Sequence, residues 1–366
     1  MAYKKAEVSK EITDFLKSDR TNVSFTPEYK QNHFFHIISK SVNRLDIENL
    51  AKEQADIVSE TLRSSNQTKF TIYFTKDFDL EYLKTMFFSL KPELKRMYEN
   101  GRLEFKLAEK PIKIWAQDVG QSVRTKDGKS ELIKGIRTSG FQTPPMEIPI
   151  TQIPILFEGG DVTTTVVNGK KTVVIGPQSV NNTRIHYKRL GYDISDTEIK
   201  SILTHAFNAD NVVMLGSEGG RYDKPHYIFH IDQAVFFPKN NVAVIIDPDS
   251  IKEQGISNGL KIYAEQLEKE GFKLIKIPSK DDFVKKYRSY ANVIPIELPD
   301  GRTKVILPSF GNETLEDKIK KILEDNDMAV VFVKDIGYNA QGNIHCITGA
   351  IARIDDSYKN VPIKIG

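Results

Sequence analysis

The run "VAVIIDPD" at 242–249, followed by "NGLKIYAEQLEKEG" at 258–271 and "FKLIKIP" at 272–278, is the stretch from which the fold is read. A β-branched run stopped by a proline reads as a strand ending at a turn. The second segment reads as a helix and the third as another short strand. The same order recurs in "TVVIGPQ" (172–178), which leads through "RIHYKRLG" and a second helix to "NVVMLG". It recurs again in "KVILPSFG" (304–311), "ETLEDKIKKILEDN" and "AVVFVKD". Earlier in the chain, "KFTIYFT" (69–75), "LEYLKTMFFSL" and "GRLEFKLA" fit the same plan, preceded by a helical pattern over 45–65. The spacing is too irregular for a solenoid period. Four or five diverged strand–helix–strand units in one α/β domain over 46–366 account for it. Residues 1–45 read as a polar lead-in with a short helix near 11–16.

The bulk numbers fit a globular chain. Of the 366 residues, 39% are hydrophobic and 28% charged, which is ordinary for a folded domain. A net charge of +3 with scattered basic residues gives no field for nucleic acid. No run approaches the ~18 apolar residues of a membrane span. The opening "MAYKKAEVSKEITDFLK" has no apolar core of a signal peptide. A cytoplasmic protein is expected, with export by a route that uses no cleaved signal left open. The single cysteine excludes an internal disulfide or a multi-thiolate metal site.

That cysteine, Cys346, sits in "GNIHCITGAI" (342–351). A free cysteine is often a small buried hydrophobe. It is also a recognised nucleophile pattern where histidine and carboxylates stand elsewhere in the chain. If the stretch is extended, the adjacent His345 faces the other way and is not the base. "YIFHIDQAVFF" (227–237) reads as a strand, which places His230 and Asp232 on one face; an edge strand with a solvated face would do the same. "IKIWAQDVG" (112–120) and "IPILFEGGDVTTT" (153–165) place Trp115, Asp118, Glu158 and Asp161 at turns after apolar runs. Alone, such acids are ordinary turn caps. "EGGD" has neither the length and lysine of a phosphate loop nor dinucleotide-fingerprint spacing. One thiol, one histidine and several carboxylates at analogous strand ends suit a planar cation such as a guanidinium, which carboxylates bind through paired hydrogen bonds.

In this order, "WAQD", "EGGD", "HID" and "GNIHCIT" resemble the signatures of the guanidine-modifying enzymes of the pentein superfamily, especially agmatine deiminases and peptidyl-arginine deiminases. The resemblance runs from about residue 45 to the end, and "GNIHCIT" is its most specific part. It implies a five-unit ββαβ propeller, the pentein fold, with 46–366 as the catalytic domain. It also implies that Asp118 and Asp232 clamp the guanidinium and that His230 is the general acid/base, oriented by Glu158. Cys346 would be the nucleophile, and Trp115 would pack beside the substrate chain. Neither metal nor cofactor is implied. The expected partner is a guanidino small molecule or a protein's arginine side chain, not nucleic acid or membrane. A homo-oligomer is left open. The sequence departs from the agmatine deiminases at Gln117, where they carry arginine. "EGGD" is closer to arginine deiminases and amidinotransferases. The 124–145 segment matches no family pattern and is a candidate for part of the substrate mouth. An amidinotransferase, a methylarginine hydrolase and a non-catalytic binding module remain as alternatives on the same fold.

Overall fold

The computed structural model describes residues 2–39, 47–110, 112–136, 143–335, 337 and 342–353. Their strands form five sheets. In each, two strands pair antiparallel and the second then pairs in parallel with a third. Val162–Val167 pairs with Lys170–Ile175, and helices Pro177–Arg189 and Asp196–Phe207 return the chain to Asn211–Met214. Val235–Lys239, Val242–Ile246, helix Gln254–Glu270 and Lys273–Ile277 repeat the plan. So do Ile294–Glu297, Thr303–Ser309, helix Glu313–Glu324 and Met328–Lys334. The sheet of Gln121–Thr125, Ser130–Gly135 and Ile150–Ile153 has the same pairing. Residues 137–142, in its crossover, lie outside the described residues.

The fifth sheet joins the two ends of the chain. Gly349–Arg353 pairs antiparallel with Gln31–Ile38, with Gly349 opposite Phe35, and helix Ile47–Leu62 leads on to the parallel strand Lys69–Thr75. Helices Leu80–Leu90 and Glu93–Glu99 then add a fourth strand, Leu103–Ala108. Residues read as a lead-in are thus part of the framework. Ala2–Lys17 is a helix, Val23–Ser24 pairs with Gln121–Thr125, and Gln31–Ile38 lies inside the closing sheet. Phe34, Phe35, Ile37 and Ile38 are buried there, as is His36, whose Nε2 lies 2.8 Å from Thr348 Oγ1. The helical pattern of 45–65 becomes Ile47–Leu62, and the 124–145 segment, a candidate for the substrate mouth, begins as a hairpin turn and strand, while its residues 137–142 lie outside the described residues.

Local chemistry explains these elements. Val242–Ile246 is buried along its whole length because it has a strand on each side and helix Gln254–Glu270 packs on it. That helix buries Ile256, Leu260, Tyr263 and Leu267, spaced three or four apart. It ends at Gly271, whose φ of 98° is open to glycine at little cost. Ser195 and Glu198 form a capping box at the start of Asp196–Phe207. Truncating a buried stripe residue such as Leu260 to alanine would cost about 2–5 kcal/mol. Among the described residues, no helix is long and apolar enough to cross a membrane.

Candidate active site

The turns that lead into the first strand of each sheet hold the candidate residues. Gln117–Val119 precedes Gln121–Thr125 and carries Asp118. Gly159–Asp161 precedes Val162–Val167 and follows Glu158. Ile231–Gln233 precedes Val235–Lys239 and carries Asp232, with His230 just before it. Asn292 stands two residues before Ile294–Glu297, and Cys346 three before Gly349–Arg353. All five units therefore point one turn at a common place.

Close packing brings the turns together. A Cβ on Gly159 would lie 1.9 Å from the Gln117 carbonyl oxygen, and one on Gly160 2.8 Å from Asp232 Oδ2 and 2.9 Å from His230 Nδ1. The glycine pair of "EGGD" is thus required by neighbouring backbone and by the catalytic candidates, not by a phosphate. The Gln117 amide donates to the Cys346 carbonyl at 3.1 Å, tying the Trp115–Asp118 turn to the cysteine loop. A Cβ on Gly342 would meet the Trp115 ring at 2.4 Å. Asp161, fully buried, accepts from the amides of Ser179 (2.8 Å) and Ile231 (3.1 Å) and so fixes the histidine turn. Burial pushes its carboxyl up to about 6, against the pull of His230 and these donors.

Trp115, Asp118, Glu158, Gln178, Phe229, His230, Gln233, Gly342 and Cys346 line a cavity of about 190 Å³. His230 Nε2 is 3.0 Å from Glu158 Oε2, and its Nδ1 is 3.7 Å from Asp118 Oδ1. Burial lowers the imidazole pKa, but Glu158, Asp118, Asp161 and Asp232 outweigh it and hold it at about 10. Cys346 Sγ lies 3.7 Å from Asp232 Oδ2 and accepts from Asn292 Nδ2 at 3.3 Å. Burial, then Asp232 and Asp118, push the thiol well above its ordinary range. Asp232 is not in the cavity wall but behind it. Its Oδ2 pairs with His345 Nδ1 at 2.9 Å, while its Oδ1 is buried without a hydrogen-bond partner among the described residues. On the far side of that histidine, Nε2 is 3.5 Å from Glu28 Oε1.

The 227–237 stretch is not one strand. Only Val235–Lys239 is extended and paired, and Ile231–Gln233 is a turn of 3₁₀ helix. His230 and Asp232 converge on Gly160 because the chain turns, not because alternate side chains share a strand face. His345 also sits in a turn rather than a strand, and it faces Asp232 and Glu28. The structure brings together all six candidates read from the sequence: Trp115, Asp118, Glu158, His230, Asp232 and Cys346. Two participants were missed. Asn292 accepts the His345 and Cys346 amides at 3.0 and 3.4 Å besides touching the sulfur, and Glu28 holds His345. Neither lies in a chemical motif; the signal for Asn292 was its place before a unit's first strand. Asp118, Glu158 and His230 each offer an atom within 4.8 Å of the others.

Five sheets of one pairing pattern, with a cysteine, a histidine and paired acids at their shared turns, define a deiminase-type pentein fold. The model of the Porphyromonas-type peptidyl-arginine deiminases matches residues 107–351, and the chain belongs to that family, among hydrolases acting on C–N bonds. Solved structures agree on the fold. An agmatine deiminase from C. jejuni matches with a TM-score of 0.62 and 14% identity, over 91% of this chain and 97% of that one. A cysteine-to-serine variant of the C. jejuni agmatine deiminase, with substrate bound, gives 0.61 and 15%, over 91% and 97%. A Porphyromonas gingivalis protein provisionally assigned as an arginine deiminase gives 0.63 and 16%, over 89% and 97%. No curated protein matches the sequence.

Proposed function

We propose that the chain is a guanidine deiminase, hydrolysing the guanidino group of agmatine or an arginine-type substrate, free or peptidyl, to a ureido product and ammonia. The observation that supports this best is the setting of the thiol. Cys346 shares a cavity with Asp118 and lies 3.7 Å from Asp232 Oδ2, and the other oxygen of Asp232 is buried with no hydrogen-bond partner among the described residues. A guanidinium, with its fork of N–H donors, satisfies such an oxygen and offsets the charge of the acids.

The reaction follows from the charges. In the free enzyme Asp232 and Asp118 disfavour the Cys346 thiolate. A bound guanidinium cancels their field, so the thiol ionises in the complex, where the thiolate is the nucleophile. Asn292 Nδ2 donates to the sulfur and helps hold the negative charge. The thiolate adds to the guanidinium carbon. His230, an imidazolium held protonated by Glu158, gives its proton to the departing nitrogen, which leaves as ammonia. A thiouronium remains on Cys346. The now neutral His230 takes a proton from water, and the hydroxide adds to the same carbon. Collapse breaks the carbon–sulfur bond and releases the ureido product and the thiolate. Holding the carbon over the sulfur supplies the orientation part of the rate.

Cys346→Ala should abolish ammonia release while circular dichroism and melting temperature stay near wild type; substantial turnover would remove the nucleophile assignment. Asp118→Asn and Asp232→Asn should each lower kcat/KM by at least about 100-fold, as expected for losing a charged hydrogen bond in a buried site. A ureido assay run in parallel on agmatine, arginine, methylarginine and an arginine peptide separates the substrates, and an added acceptor amine reveals amidino transfer.

A further inference from the structure

The cavity wall above the guanidine clamp consists of Trp115, Phe229, Gln178 and Gln233, two rings and two amides. One cation stands against it. Lys224 Nζ is 3.5 Å from Gln178 Oε1 and 5.0 Å from the centre of the Phe229 ring. The lysine is half-buried, and among the described residues no carboxylate pairs with it. Burial lowers its pKa, and Asp161, seated behind the histidine turn, pulls it back up.

The loop that carries this lysine is set rather than free. A Cβ on Gly255 would lie 2.2 Å from the His226 ring, and one on Gly259 2.5 Å from Pro225, so the two residues that follow the lysine rest directly on helix Gln254–Glu270. Tyr227 takes a φ of 62°, a left-handed backbone that only a well-fixed loop retains in a bulky residue. Phe229, the ring under the ammonium, stacks on Tyr287 at 5.4 Å.

A guanidine bound over Cys346 leaves its tail along this wall. We infer that Lys224 is a specificity-determining residue that reads the charge of the tail and discriminates against guanidines carrying a second cation, such as agmatine. This rests on the deiminase reading given above. A carboxylate or neutral amide tail meets an ammonium and amide donors on the Gln178–Phe229 side, whereas an alkylammonium tail meets a like charge at partial burial. At the distances of a site this size, one unit charge changes relative binding by about tenfold.

The test is a charge ladder on both partners. Nα-acetyl-L-arginine, Nα-acetyl-L-arginine amide and agmatine present tails of negative, zero and positive charge. Their kcat/KM values are compared in wild type, Lys224→Arg, Lys224→Gln and Lys224→Glu. Wild type and Lys224→Arg should rank acid above amide above agmatine. The acid-to-agmatine ratio should fall by about tenfold in Lys224→Gln and by about tenfold again in Lys224→Glu, mainly through KM, with kcat on the amide nearly constant. Calorimetric binding to the Cys346→Ala background gives a second readout that needs no turnover. A ratio that stays flat across the series in enzymes that turn over all three compounds overturns the inference and leaves the deiminase reading standing. Lys224-dependent binding of the acid over agmatine, with no ureido product from any compound, supports the inference and removes the deiminase reading. Absence of both binding and turnover overturns both.

Discussion

Replacing Gly160 by alanine tests whether the turns meet as closely as described. The added Cβ would lie 2.8 Å from Asp232 Oδ2 and 2.9 Å from His230 Nδ1, where ordinary contact begins at 3.4 Å, so the 230–232 turn must retreat by about 0.5–0.6 Å. Backbone φ is not the obstacle, because Gly160 is not in the left-handed region. A retreat of that size takes the 3.0 Å His230–Glu158 contact to the edge of hydrogen bonding and moves Asp232 relative to the sulfur. Overpacking of this kind costs about 1–3 kcal/mol of stability, so the variant should fold. Misplacement approaching 1 Å costs up to about 100-fold in rate, which sets the expected loss in kcat/KM at roughly 10- to 100-fold. Steady-state ureido formation measures it, with a thermal melt as the control for folding. Gly159→Ala is the harsher companion, since its Cβ would sit 1.9 Å from a backbone oxygen, and it should not yield soluble enzyme. A well-folded Gly160→Ala enzyme with kcat/KM within twofold of wild type would refute the account of how the site is assembled.

The remaining expectations concern protons and the missed asparagine. Glu158 is the strongest of the groups that raise the His230 pKa to about 10, so Glu158→Gln should bring the titration of that imidazole, followed by NMR, to lower pH. A charged hydrogen bond is worth about 1.5–3 kcal/mol, which places the movement at about one to two pH units. An imidazole titration that does not move would show that Glu158 is not the partner of His230. Asn292→Ala leaves the His345 and Cys346 amides without their acceptor and should cost about 2–4 kcal/mol in urea unfolding. Asn292→Asp keeps the acceptor but sets a further negative charge beside the sulfur, so iodoacetamide should alkylate Cys346 more slowly at neutral pH; unchanged alkylation would show that residue 292 does not influence the thiol.

The repeated order of β-branched run, proline and helix was legible because each crossover is local, and strand–helix–strand periodicity survives divergence. The acids, the histidine and the cysteine were legible because each motif spans a single turn. What was hidden depends on contacts between distant segments. Gln31–Ile38 reads poorly as a strand because Gln31, His33 and His36 break its apolar run. His36 nevertheless lies fully buried against Thr348, with its pKa driven down to about 3 by burial. Glu28 owes its place to Gln117, Thr163 and His345, which come from three other parts of the chain. The 227–237 run was apolar enough to pass for a strand, and it turns where Asp161 accepts the Ile231 amide and Gly160 packs against His230 and Asp232. Local pattern cannot register a constraint imposed by a neighbour more than sixty residues away.

The pairing of Gly349–Arg353 with Gln31–Ile38 also bears on how the enzyme comes into being. His36 and Thr348 are 312 positions apart in the chain, and bringing such distant segments together is the slow, entropically costly part of folding. Cys346 sits three residues before that latch, and Glu28 three residues before its other half. A molecule whose other four sheets are complete would still present an idle sulfur, without the backing of Asp232 and His345. Catalysis therefore serves as its own certificate of ring closure. In a refolding experiment, turnover should return later than the far-ultraviolet signal of the helices.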